Sequence, residues 1–296
     1  MSSWGQPALN QNKLRYSDLF YRISTSGYGT NFQQFFMCYL YARHVKKPLY
    51  FCDTTSNLSS TYHLITDTFQ PIKGIIYTGK SGISVFQDKV IEMKEYLSGL
   101  TDEFLRGEAR SIFRFNLKTQ EIIDAAISHL PQIDIGIHIR MGDKITSGEM
   151  AAISLSTYAA AIKEAQALTE RETVNIYVMT DTPSVIESLK CLLDANTCVL
   201  YSIPSPIVSE GHDQRTFNKM EASQKMAAYY HFLSEFHIMR RCPHIICTYS
   251  SNIGRMLCLT REPGTEIRSL DVPTFTILHD MKIFLARKIE AGNPAS

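Results

Sequence analysis

The stretch IDIGIHIRMGDK, Ile133 to Lys144, starts as an apolar strand and then sets His138, Arg140, Asp143 and Lys144 within seven residues. A core strand cannot bury such groups unpaired, because isolated buried charges cost many kcal/mol. Either the segment emerges at a surface edge, or a ligand sits at its carboxyl end. The planar fork of Arg140 suits phosphate oxygens bidentately. It equally suits a neighbouring carboxylate such as Asp143, and residue type alone leaves both readings open.

Polar groups follow apolar runs elsewhere too. Asp181 ends VMTDTP, where capping a helix beside Pro183 is its default. Ser250 and Ser251 follow IICTY and open a helix; their default is capping, although their hydroxyls and the amides behind them also suit a phosphate. STSGYG, Ser24 to Gly29, has the glycines of a tight strand-to-helix turn. His138 lies in an apolar strand, where a satisfied core histidine is the default. Glu235 stands in a helix with many charges, where the default is a solvated surface.

The elements that must position these groups alternate. PLYFCD (Pro48 to Asp53) and GIIYTG (Gly74 to Gly79) have the make-up of short buried strands. TNFQQFFMCYLYARHV carries an apolar helical stripe, with Thr30 or Asn31 as its cap. Further on, strands are expected at Ile133–Ile139, Val174–Thr180, Thr197–Tyr201, Ile245–Tyr249 and Thr274–Leu278. Helices are expected at Leu155–Leu168, Pro183–Leu193, Glu221–Cys242, Ser251–Leu259 and His279–Ile289. Alternation of this kind implies parallel sheets covered on both faces. TQEIIDAAISHL followed by PQ marks a boundary near residue 130. The expected architecture is α/β, with domains at residues 1–130 and 131–296 whose parallel sheets face a central cleft. Ligands of open parallel sheets sit beyond the carboxyl ends of the strands, where Arg140, Asp181 and Ser250–Ser251 all fall.

Composition narrows the partners. A formal charge of +1 over 296 residues, without any basic run, argues against nucleic acid bound through a basic face. No apolar stretch approaches a membrane span, and the first twenty residues lack the apolar core of a signal peptide. The seven cysteines show no zinc spacing and several lie in apolar runs. The expectation is a cytoplasmic protein with no metal.

GIHIRMGDK, VNIYVMTDTPSVIESLK, SEFHIMRRCPHIICTYSSNIGR and RSLD, in that order, resemble the α1,6/α1,2 and protein O-fucosyltransferase superfamily. The closest likeness is to core α1,6-fucosyltransferases and nodulation fucosyltransferases. SGYGTNFQQFFMCYLYARHVKKPLYF is similar to their glycine loop, helix and strand. The resemblance spans most of residues 20 to 275. It implies a GT-B pair of Rossmann-like domains with the acceptor side first and the donor side second. It also implies a GDP-fucose donor, a glycan acceptor, inversion at the anomeric carbon and no metal. By motif, His138 and Glu235 contact guanine, Arg140 holds the β-phosphate with Ser251 and the Thr25-Ser26-Gly27 turn, and Ser250 belongs to the donor-binding set. Asp181 matches the first acid of T-D-D-P. Glu149 matches an acidic residue proposed as base, and Asp143 and Lys144 complete the catalytic set. Met141 stands where close relatives have a second arginine, and Thr182 replaces their second aspartate. A transferase using GDP-mannose, GDP-rhamnose or UDP-xylose, and a non-catalytic sugar-nucleotide module, are the alternatives. The absence of an anchor fits a bacterial or virus-encoded enzyme.

Overall fold

The computed structural model describes residues 19–24, 27–53, 63–78, 89–141, 152–207 and 214–275. Its contacts divide the chain into two compact units. The first takes in the described residues up to Thr66 and from Pro71 to Thr101; the second takes in Asp67–Gln70 and the described residues from Asp102 onward.

In the first unit, β1 (Leu19–Arg22), β2 (Leu49–Cys52) and β3 (Ile75–Tyr77) form a parallel sheet in the order β1-β2-β3. Between β1 and β2 runs α1 (Tyr28–His44), and α2 (Val90–Ser98) packs against it. Tyr21, Phe35 and Phe51 interlock at ring separations of 5.5–5.9 Å, which fixes α1 on the sheet.

The second unit opens with α3 (Asp102–Ile112) and α4 (Leu117–Ile127). Its sheet consists of β4 (Ile135–Ile139), β5 (Val174–Thr180), β6 (Cys198–Tyr201), β7 (His244–Cys247) and β8 (Glu266–Ser269). All five strands are parallel, in the order β6-β5-β4-β7-β8. The helices are α5 (Leu155–Leu168), α6 (Ser184–Lys190), α7 (Gln214–Lys219), α8 (Ala222–Met239) and α9 (Asn252–Thr260). Side-chain alternation assigns the faces. Ile135, Ile137 and Ile139 join Ile176, Val178, Tyr158, Ile162 and Leu189 in a core beneath α5 and α6. Gly136 and His138 face the other way, toward α8. A Cβ on Gly136 would lie 2.8 Å from Met239 Sδ and 2.9 Å from Cys242 Sγ, so glycine there lets helix and strand close.

The α/β class with parallel sheets is thus the one the chain adopts, and most expected elements lie where the residues place them. Three differences have physical causes. The expected boundary near 130 falls inside the second unit, because α3 packs on α9 and α4 on α8. The segment Asp67–Gln70 joins that unit through a Phe69–Phe115 bridge and a 3.1 Å hydrogen bond between Thr68 and Tyr229. The fifth strand is β8, whose Glu266 and Arg268 are exposed and give it no apolar signature. Of the expected strand Thr274–Leu278, Thr274 and Phe275 are not in a strand and the rest lies outside the described residues, as does His279–Ile289.

Candidate functional site

The strand order places a topological switch between β4 and β7, since the chain leaves β4 toward β5 and returns on the other side to form β7. Open sheets bind ligands beyond the carboxyl ends of the strands at such a point. Those ends carry Arg140, Asp181 and the Thr248–Ser251 turn.

β4 and β5 pair with Ile139 opposite Thr180, so Arg140 and Asp181 leave the sheet side by side. Arg140 Nη1 meets Asp181 Oδ2 at 3.0 Å. The other carboxylate oxygen accepts from the Met141 amide at 3.0 Å and from the Thr182 hydroxyl at 3.3 Å. Asp181 is therefore not a helix cap: α6 begins after Pro183 with no side-chain cap, and Asp181 serves the end of β4. Met141 packs against the Ile135–Ile139 core.

His138 is buried, and its Nδ1 has no hydrogen-bond partner among the described residues. Burial, aided by the Arg140 guanidinium, pushes its pKa down to about 4 and keeps it neutral. Glu235 reaches the same side of the sheet from α8 and is buried rather than solvated. Its Oε1 accepts from the Tyr177 hydroxyl at 3.4 Å, and its Oε2 lies 3.4 Å from His231 Nδ1. Burial raises its pKa to about 8.

At the end of β7, Ser251 caps α9, its hydroxyl oxygen accepting from the Ile253 amide at 3.3 Å. Ser250 points elsewhere: its hydroxyl donates to Asp271 Oδ2. Asp271 also accepts from the Tyr249 amide at 2.8 Å, the Ser250 amide at 3.2 Å and the Ser269 hydroxyl at 2.7 Å. These bonds hold its pKa below the usual carboxylate range against the opposing effect of burial. From the other side Arg255, buried in α9, donates to the carbonyls of Tyr249 at 2.8 Å and Ser250 at 3.3 Å. A Cβ on Gly254 would lie 2.0 Å from the Thr248 carbonyl oxygen, so only glycine lets α9 start this close to β7. Asp271 and Arg255 fix both sides of the turn, and single-residue reasoning missed them. RSLD pointed to Asp271 only as part of a pattern.

In the first unit, Gly27 precedes α1 without a side-chain cap. Asn31 does not cap the helix either. It reaches back to accept from the Ser24 amide at 2.9 Å, and it donates to the Ser24 carbonyl at 3.1 Å. Thr25, Ser26, Asp143, Lys144 and Glu149 lie outside the described residues.

All seven cysteines are free thiols, six of them buried. Among the described residues no group of three or more His, Cys, Asp or Glu side chains is arranged to hold a metal ion. No described helix is long and apolar enough to cross a membrane.

No protein-family model matches the chain, and no curated protein does. Solved structures do. The α1,6-fucosyltransferase NodZ co-crystallised with GDP is similar at a TM-score of 0.58 and 16% identity, over 82% of this chain and 92% of that one. The fucosyltransferase NodZ from Bradyrhizobium matches at 0.56 and 16%, over 87% and 96% of the two chains. POFUT1 in complex with GDP matches at 0.50 and 10%, over 86% and 98%. At these identities the likeness is one of architecture: this chain has the fold of the fucosyltransferase NodZ.

Proposed function

We propose that the chain is an inverting glycosyltransferase that moves L-fucose from GDP-fucose to a glycan hydroxyl without a metal ion. The observation that supports this most is the Arg140–Asp181 pair, mostly buried at the carboxyl edge of a sheet whose fold NodZ shares. In the reaction the acceptor oxygen bonds to the anomeric carbon as the bond from that carbon to the β-phosphate oxygen breaks. GDP leaves with the bonding electrons, and the acceptor proton passes to a carboxylate, for which Glu149 and Asp143 are the candidates. Negative charge develops on the β-phosphate. A guanidinium already paired with Asp181 stabilises that charge where it appears. Ser251 and the first amides of α9 assist. His138 and Glu235 face the guanine, whose N1–H and N2–H groups need acceptors. A soluble cytoplasmic location goes with this reading.

The test is a calorimetric titration of GDP and UDP, followed by detection of fucose release or transfer from GDP-fucose with a panel of glycans. Tighter UDP than GDP binding would reverse the donor assignment. Tight GDP binding with neither hydrolysis nor transfer would reduce the chain to a sugar-nucleotide-binding module.

A further inference from the structure

Among the described residues Glu235 receives one side-chain hydrogen bond, and its direction is forced. The Ile203 amide donates to the Tyr177 hydroxyl at 3.3 Å. An amide N–H cannot accept, so the hydroxyl's own hydrogen goes to Glu235 Oε1, 3.4 Å away. Ile203 is tied a second time, its carbonyl oxygen lying 3.1 Å from His231 Nε2. Pro204 restricts it further, since the residue before a proline is pushed to extended backbone. Tyr177 itself is fully buried. With the ring and the Ile203 amide both held, the hydroxyl keeps one orientation and fixes one oxygen of the carboxylate. Oε2 has His231 Nδ1 at 3.4 Å, an ion-pair distance, and no hydrogen-bond donor among the described residues.

Packing brings this carboxylate toward the switch point. Tyr177 pairs with Gly136 and shares its face of the sheet, and Gly136 is the glycine on which Met239 closes. α8 leads into β7, which is parallel to β4, so the helix runs against the strands. Four residues back along α8 cover about 6 Å, and two residues along β4 cover roughly 6.6 Å. Glu235 therefore comes level with His138 on the same side of the sheet.

We propose that Tyr177 is a positioning residue that gives the site its choice of base. By fixing Oε1 it holds the Glu235 carboxylate in the plane where its two oxygens meet the N1–H and the 2-amino group of guanine together. A carboxylate free to turn still accepts from N1–H but loses the amino group. This role rests on the GDP-binding reading above.

Calorimetric titrations of the intact chain with GDP and with inosine diphosphate, which lacks the 2-amino group, test it. The wild type should prefer GDP roughly twentyfold, the value of a hydrogen bond to a charged group. Tyr177→Phe keeps the ring and removes only the hydroxyl, so the preference should fall below about fivefold, mostly through lost GDP affinity. If Tyr177 served only to anchor the segment after β6, both nucleotides would weaken alike and the preference would stay. Ile203→Pro removes the amide that fixes the hydroxyl and lies outside the strands. It should lower the preference in the same direction, and it serves if the Phe variant does not fold. Glu235→Gln should lose most of the preference, and adding Tyr177→Phe to it should cost no further selectivity, because Tyr177 acts through the carboxylate. An unchanged preference in the folded Tyr177 or Ile203 variant, or a further loss in the double variant, would overturn the role of Tyr177. A wild type that binds GDP no tighter than inosine diphosphate would do the same. No GDP binding by the wild type would instead sink the donor assignment, and this role with it.

Discussion

Arg140 at the end of β4 and Asp181 at the end of β5 meet at 3.0 Å across the edge of the sheet, and Asp181 also holds the Met141 backbone. The pair is mostly buried, with 17% and 11% of the two side chains exposed. One carboxylate thus orients both the guanidinium and the chain that follows it. Under the proposed function this arrangement is a pre-set anion clamp.

If the clamp stabilises a leaving phosphate, Arg140→Lys keeps the charge but loses the planar fork. The rate should fall roughly 100-fold, comparable to losing one oxyanion donor. Asp181→Asn, which frees the guanidinium to rotate, should lower kcat in the same direction with a smaller change in melting temperature. A Lys variant with near-normal kcat would leave Arg140 as a structural ion pair.

Turnover should survive a chelator. The sequence has no D-x-D loop, and under the proposed function Arg140 offsets phosphate charge. Loss of activity in EDTA with recovery on adding manganese would contradict this; mild stimulation by a cation would not.

Much of this edge was legible in the residues. Apolar strands ending in polar groups located β4, β5 and β7, and the alternation with helices implied parallel pairing. Partner choice was not legible. Asp143 and Asp181 stand three and forty-one positions after Arg140, and only strand register says that Asp181 adjoins it. Glu235 has the make-up of a surface residue on its helix, yet α8 turns it inward against Tyr177. β8 escaped notice because an edge strand alternates exposed charges with half-buried residues.

Gly254→Ala should destabilise the chain by about 1–3 kcal/mol, the usual cost of overpacking. Its Cβ would press on the Thr248 carbonyl oxygen, which is backbone and cannot rotate away. Denaturant midpoints report the stability. GDP affinity should fall as well, since α9 would be displaced from the end of β7.

His138 should stay neutral well below pH 6. Its folded pKa, about 4, lies under its ordinary 6.5. The stability it contributes is therefore present above pH 6.5 and is lost as pH falls toward 4, where the unfolded chain takes up a proton that the folded one refuses. Histidine 15N shifts should show His138 as the neutral ring at pH 5.5. An imidazolium signal at that pH would contradict its burial.

The two serines at α9 should differ. Asp271, an acceptor-only carboxylate, takes the Ser250 hydroxyl hydrogen and the Ser250 amide. Ser251 oxygen accepts from Ile253, and under the proposed function its own hydrogen serves the ligand anion. Ser251→Ala should therefore weaken GDP about tenfold, the value of a charge-assisted hydrogen bond, and leave guanosine affinity unchanged. Loss of the cap would confuse this with a stability change of ~1 kcal/mol. Ser251→Gly, which costs only a few tenths as a cap, separates the two. If the hydroxyl meets a phosphate, the Gly variant loses as much GDP affinity as the Ala variant. If Ser251 serves only as a cap, the Gly variant recovers. Ser250→Ala, by contrast, should affect GDP and guanosine alike, because it loosens the turn without removing a donor to phosphate. A larger selective loss of GDP in Ser250→Ala than in Ser251→Ala would mean that Asp271 does not set the direction of these hydroxyls.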